Sequence, residues 1–347
     1  MSETSNAESI AIVDAHHHLW DFRPILKMLP QEDDPLVGII NRQPTYLFDE
    51  LLSDTRSGHN IVATVAVECG AFHRADGPDA MKPVGEVEHA SGVAARSASG
   101  LYGDIRACCG IVGFADLTLA DGAAPVLEAH IAAGNGRFKG VRMMGSYDDD
   151  PQVMGPVVRV PEGLYLDTGF RAGFSHLKKM DLSFDAWVLE PQLHELIDLA
   201  RTFPDTPIAV NHVGTPLGIG RYSGKLSDRY APWRKSMEEL ATCGNVSVKL
   251  SGLGMPYPSL SGLGPQTRTS PETLAETWRP YIEPCIEAFG PSRAMFASNY
   301  PVDAWGADYA TIWSAFKLIA QHASPDEMAM LFRTTAGRFY NLDQFLV

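Results

Sequence analysis

The chain is short of basic residues. Its 347 residues carry 28 lysines and arginines against 42 aspartates and glutamates, a formal charge of −14. Nucleic acids and anionic membrane surfaces are held by basic faces, so neither is an expected partner. No apolar run approaches the roughly 18 residues that a membrane-spanning helix needs. The opening decapeptide, MSETSNAESI, has neither the basic stretch nor the apolar stretch of a secretion signal. Residues 1–10 read instead as a flexible tail ahead of one domain spanning 11–347. The five cysteines, Cys69, Cys108, Cys109, Cys243 and Cys285, form no CxxC pair and leave one unmatched. That fits a reduced, cytoplasmic setting better than a disulfide framework. Internal repeats, low-complexity segments and an obvious linker are also missing. With 45% hydrophobic and 20% charged residues, the chain is not a disordered one.

Eight short runs rich in β-branched residues and bounded by turn residues predict strands: AIVDAH from Ala11, IVATVAVE from Ile61, ACCGIVGF from Ala107, FKGVRMM from Phe138, LSFDAWVL from Leu182, PIAVNHV from Pro207, NVSVKLSG from Asn245 and RAMFASNY from Arg293. Segments with helical periodicity separate them. PQLHELIDLARTF places Leu193, Leu196, Ile197 and Ala200 on one stripe. Ser270 followed by Pro271 is a helix start, and Ser324 with Glu327 has capping-box spacing. Eight alternations in one undivided chain predict a (β/α)8 TIM barrel. A doubly wound open sheet would usually show a glycine-rich turn after its first strand, and DAHHHLWDF contains no glycine. Two long irregular stretches, 144–163 and 252–271, follow strands four and seven, on the face where barrel active sites lie.

Strand one ends in three consecutive histidines. Side chains alternate with period two, so His16 and His18 share a face and His17 points the other way. An HxH pair there is placed to clamp a metal or a substrate carbonyl. Other strand ends finish on polar residues too: Glu68, Arg142, His212, Lys249 and Asn299, with Asp303 close behind. Such ends are expected if they converge on one site.

VDAHHHLWD, GRFKGVRMM, LSFDAW, FPDTPIAVNHVGTPLG, NVSVKLSGLGM and MFASNYPVD, in this order, resemble the strand-end motifs of the amidohydrolase superfamily, in particular its amidohydrolase-2 branch of lactonase-like hydrolases. The resemblance covers nearly the whole chain. It implies that His16 and His18 are the family's HxH, His212 its strand-six histidine and Arg142 its substrate-gripping arginine. Two departures stand out. The family's Ser-Asp-Trp-Pro on strand eight reads Ser298-Asn299-Tyr300-Pro301 here, so the water-activating aspartate is an amide, and Asp303 is the nearest replacement. Glu190 and Asn211 stand where relatives carry histidine and aspartate. The full binuclear metal set is absent, with Arg142 where a bridging lysine would be sought.

The resemblance implies hydrolysis of a small carboxylated or hydroxylated lactone. His16, His18 and His212 would polarise the carbonyl, either through one divalent ion such as zinc or directly without metal. Arg142 would grip a substrate oxygen. Asp303, helped by Glu190 or Glu68, would activate water and return the proton to the leaving oxygen, and Glu68, Glu190, Lys249 and Asn299 would contact the substrate. The alternatives are a non-oxidative decarboxylase of a small aromatic or enoate acid, and a degenerate barrel that only binds ligand. The expected partner is a small molecule, with a homo-oligomer possible.

Overall fold

The computed structural model describes residues 10–29, 34–155, 159–260 and 269–342. The tail expected over residues 1–10 therefore lies, except for Ile10, outside the described residues. Eight strands form one parallel sheet: β1 Ile12–His17, β2 Ile61–Val67, β3 Arg106–Gly113, β4 Phe138–Arg142, β5 Ser183–Ala186, β6 Ile208–Val210, β7 Val246–Leu250 and β8 Ala294–Phe296. Each pairs with the next in chain order. The last segment then returns to the first: Asn299 N–H donates to the His16 carbonyl, and His18 N–H donates to the Tyr300 carbonyl, each at 2.8 Å. This is the (β/α)8 barrel that the strand count predicts.

Small and branched side chains make the sheet close. Val13, Ala15, Ala63, Val65, Cys109, Ala209 and Met295 fill its interior, and Ala336, Tyr340 and Leu342 of the C-terminal segment pack onto them. The outer face of the sheet buries the apolar stripes of the surrounding helices. Among those stripes Trp233, Trp278 and Trp313 are at most 1% exposed. Each removes roughly 150–250 Å² from water, about 4–6 kcal/mol at 25 cal per Å². The expected helix starts are present. Ser270 accepts from Thr273 N–H at the head of Pro271–Phe289, and Ser324 and Glu327 form a reciprocal capping box. Among the described residues no helix is long and apolar enough to cross a membrane.

Strand β1 is irregular where it matters. Asp14 pairs with Thr64 and His17 with Ala66, so three steps on β1 oppose two on β2. A bulge of this kind re-aims side chains. Val13 packs in the barrel interior and Asp14 faces Ser298 and Tyr309. Within the bulge, His16 turns to the mouth, toward His18 and Arg142. After β1 the chain makes an excursion of some forty residues, held by a two-stranded ribbon of Trp20–Asp21 against Thr45–Tyr46 and by the helix Pro35–Arg42. Asp34 caps that helix, accepting from Leu36 N–H at 2.8 Å.

Candidate active site

The strand ends enclose a cavity of about 640 Å³ at the C-terminal mouth, well within the size range of ligand pockets. Its floor is polar. His18, Glu68, Arg142, His212 and Asn299 all line it. His16 lies directly beneath, its Nε2 3.2 Å from His18 Nε2 and 3.4 Å from Arg142 Nη1, with its ring centroid 4.8 Å from that of His212. The structure thus brings together His16, His18, Arg142, His212 and Asn299.

Hydrogen bonding orders the proton positions. His18 Nδ1 is 2.9 Å from the Val67 carbonyl, which can only accept, so that nitrogen carries the proton and Nε2 presents a lone pair. Lys249 Nζ lies 3.3 Å from His16 Nδ1 and 2.5 Å from Asp185 Oδ1. An ammonium there donates to His16 Nδ1, which leaves the proton on His16 Nε2, aimed at His18. Tyr340 and Asn211 also donate to Asp185. Lys249 thereby belongs to a sealed polar layer below the floor and does not line the cavity. Burial holds the imidazoles of His16, His18 and His212 well below their ordinary pKa, with help from the neighbouring cations Lys249 and Arg142. All three are neutral near pH 7.

His17 is directed away from this cluster. It is buried, its Nε2 2.8 Å from Thr64 Oγ1 and its Nδ1 3.3 Å from the His18 carbonyl. His212 Nδ1 is 3.0 Å from Ser251 Oγ. Both His212 (φ 57°) and Asn299 (φ 52°) are in the left-handed region, a conformation that costs non-glycine residues energy and concentrates at functional sites. The next loop can pass only because residue 252 is glycine: a Cβ there would sit 2.4 Å from His212 Cβ.

The three candidate carboxylates are placed very differently. Glu68 lines the cavity and accepts from Arg142 Nε at 2.6 Å. Asp303 is fully buried behind Asn299. Its Oδ1 accepts from Asn299 Nδ2 at 2.8 Å, and its Oδ2 from Gly252 N–H at 3.0 Å and Gly254 N–H at 3.3 Å. Burial pushes its pKa up to about 7. Glu190 turns outward to Arg229, at 2.6 Å, and lies off the cavity.

Sequence reasoning passed over several residues. Trp187 forms cavity wall under the Arg142 guanidinium, 5.6 Å from its ring centre. Glu86 accepts from Cys69 N–H beside the floor, and its carboxyl is pushed up to about 8 by burial and then by the charge of Glu68. Asp185 anchors Lys249. The post-β1 excursion supplies much of the wall, and its apolar density over 19–40 was the available signal.

The histidines test a metal unequally. A His16–His18 nitrogen separation of 3.2 Å suits two ligands on a tetrahedral zinc with bonds of about 2.0–2.1 Å. His18 also has the outer support of a ligating histidine, its Nδ1–H on a carbonyl. His16 does not. One of its nitrogens faces the Lys249 ammonium and the other the Arg142 guanidinium, so an ion would sit between two cations. On strand eight, Asn299 supplies no compensating negative charge. Among the described residues no group of three or more His, Cys, Asp or Glu converges as a metal site. The donor set as arranged does not fit a three-histidine zinc centre.

A closed barrel whose reactive side chains all hang from strand ends defines a barrel enzyme. The chain belongs to the amidohydrolase family (Amidohydro_2), which matches residues 13–342. It is 34% identical to y4mH, an uncharacterised protein of Sinorhizobium fredii, over 348 residues that cover 96% of this chain and 99% of that one. It is 29% identical to an L-fucono-1,5-lactonase of Burkholderia ambifaria over 243 residues, 67% of this chain and 71% of the lactonase. The fold matches a zinc-bound amidohydrolase of Burkholderia multivorans with a TM-score of 0.70 at 23% identity, over 95% of this chain and 99% of that one. Metal dependence is typical of the family. The protein is thus a barrel enzyme of the amidohydrolase family.

Proposed function

We propose that the protein hydrolyses a small cyclic ester. The observation that carries this reading is the preorganised polar floor, where Arg142, His18, His212 and Asn299 meet one cavity; the lactonase relatives support it. Arg142 and His212 hold the lactone carbonyl and stabilise the oxyanion as it forms, the role that fixed donors perform best in a water-poor site. Asn299 Oδ1 accepts from the attacking water. Glu68 takes the water's proton, since of the three candidate carboxylates it alone lines the cavity, and reach comes before pKa in choosing a base. The water oxygen bonds to the carbonyl carbon, the ring C–O bond breaks, and Glu68 returns the proton to the leaving oxygen. The product is a hydroxycarboxylic acid.

Asp303 is a positioning residue in this scheme. Its ionised carboxylate pins the Asn299 amide so that Oδ1 faces the floor, 3.3 Å from His18 Nε2. No step needs a metal. Hydrolysis is checked by acid release from a panel of lactones, before and after chelator treatment. Carbon dioxide release from aromatic or enoate acids, with no lactone opened, would replace this reading with a decarboxylase.

A further inference from the structure

We infer that the substrate carries a sizeable apolar body, an alkyl or aryl substituent on the reacting ring, and is not a polyhydroxylated sugar lactone. The inference rests on the lactone-opening reading of the same site. Beyond the polar floor the cavity walls are almost entirely hydrocarbon. The post-β1 excursion contributes Trp20, Phe22, Ile25, Leu36 and Ile39, and the opposite side contributes Met143, Met144, Leu164 and Met255. Both lining tryptophans have their N–H groups engaged elsewhere: Trp20 donates to the Gln43 carbonyl at 2.7 Å and Trp187 to Thr215 Oγ1 at 3.2 Å. Their rings therefore offer the cavity only apolar surface.

Among the described wall residues the polar side chains are Cys69, His73 and Arg159, of which His73 and Arg159 are exposed at the rim. The Cys69 thiol is already directed to the Leu19 carbonyl and Glu86. A sugar lactone seated with its carbonyl on the floor would press its hydroxyls against Met, Leu and Ile, where they lose water and gain no partner. An alkyl chain or ring in the same place gains from burial. The 640 Å³ volume is that of a pocket for a ligand larger than one small ring.

The test compares γ-lactones bearing hydrogen, ethyl, butyl, hexyl or phenyl on the ring carbon next to the ring oxygen with fuconolactone and galactonolactone. The expected kcat/KM rises about fourfold per added methylene, the equivalent of roughly 0.8 kcal/mol for a buried CH₂, and exceeds that of the sugar lactones at least tenfold. Binding of the matching tetrahydrofurans, which cannot be hydrolysed, is read in parallel by tryptophan fluorescence. Phe22→Ser and Ile25→Ser, both at the rim, should flatten the chain-length dependence. If the tetrahydrofurans show the chain-length dependence but no lactone is opened, the apolar-body inference stands and the hydrolase reading falls. If sugar lactones are opened as well as the alkyl ones, with no chain-length dependence, hydrolysis stands and the inference is overturned. Absence of the dependence in both assays also overturns it.

Discussion

The floor and the walls of the cavity are built on opposite rules. On the floor and in the layer beneath it, polar groups hold one another: Lys249 on Asp185 and His16 below, His18 on the Val67 carbonyl, Glu68 on Arg142 and Asn299 on Asp303 above. On the walls, Trp20 and Trp187 turn their polar atoms away, so that hydrocarbon faces inward. A floor of mutually oriented dipoles and charges needs little reorganisation when charge develops in a transition state. Walls that bind without direction add affinity roughly in proportion to apolar area and set which ligand enters. Floor substitutions should therefore act on kcat, and wall substitutions on selectivity between substrates.

The largest break in this contrast is expected at Arg142. Arg142→Leu removes a cation from the floor and leaves Glu68 buried without its partner; kcat/KM should fall by about 10²–10³ or more, while a tetrahydrofuran probe still binds the walls. Glu68→Gln should lower kcat by about 10²–10⁴. Residual activity near wild type would move the base elsewhere. Below the floor, Lys249→Met strips the buried Asp185 of its ion pair. Truncating one partner of a buried pair costs about 3–5 kcal/mol, which should appear as a lower urea midpoint even without substrate.

Asp303 sharpens the comparison through pH. Its carboxyl, ordinarily near 3.8, is raised by burial to about 7, so the folded protein binds a proton that the unfolded chain releases. The stability this proton contributes is fully present below pH 3.8 and is lost as pH rises through about 7. Activity should follow the opposite course. Asn299 is held by the ionised form, so kcat/KM should climb through about pH 7, and Asp303→Asn should remove that limb along with most turnover. Because the carboxylate accepts from three groups, this substitution should also destabilise the fold, by about 1–3 kcal/mol. The smallest effect is expected at Glu190. Its partner is Arg229, outside the cavity, so Glu190→Gln should change kcat/KM less than threefold; a loss as large as that of Glu68→Gln would extend the floor outward.

Some of this was legible in the residue order. The eight strands are each written locally, in runs such as IVATVAV and NVSVKL, and their succession with intervening helices left little but a barrel. Helix starts at Ser270 and Ser324 were equally readable, because a cap is decided by three or four neighbouring residues. The alternation that separates His17 from His16 and His18 is also a local property of an extended chain.

What local order could not settle was which strand-end groups would share a space. Glu68, Asp303 and Glu190 are equivalent as letters near strand ends, yet one lines the cavity, one lies behind Asn299 and one pairs outward with Arg229. The bulge between Asp14 and His17 depends on how β1 meets β2, and Lys249 finds Asp185 across the closed barrel, from β7 to β5. The post-β1 excursion becomes a wall only because the chain folds it back over the mouth. Propensity and periodicity act over a few residues, and by themselves they determined the strands, the caps and the barrel. The direction of a side chain into a cavity is fixed by register, closure and loop path, which join residues up to nearly three hundred positions apart, as at Asp14 and Tyr309. Only the tertiary structure decides those.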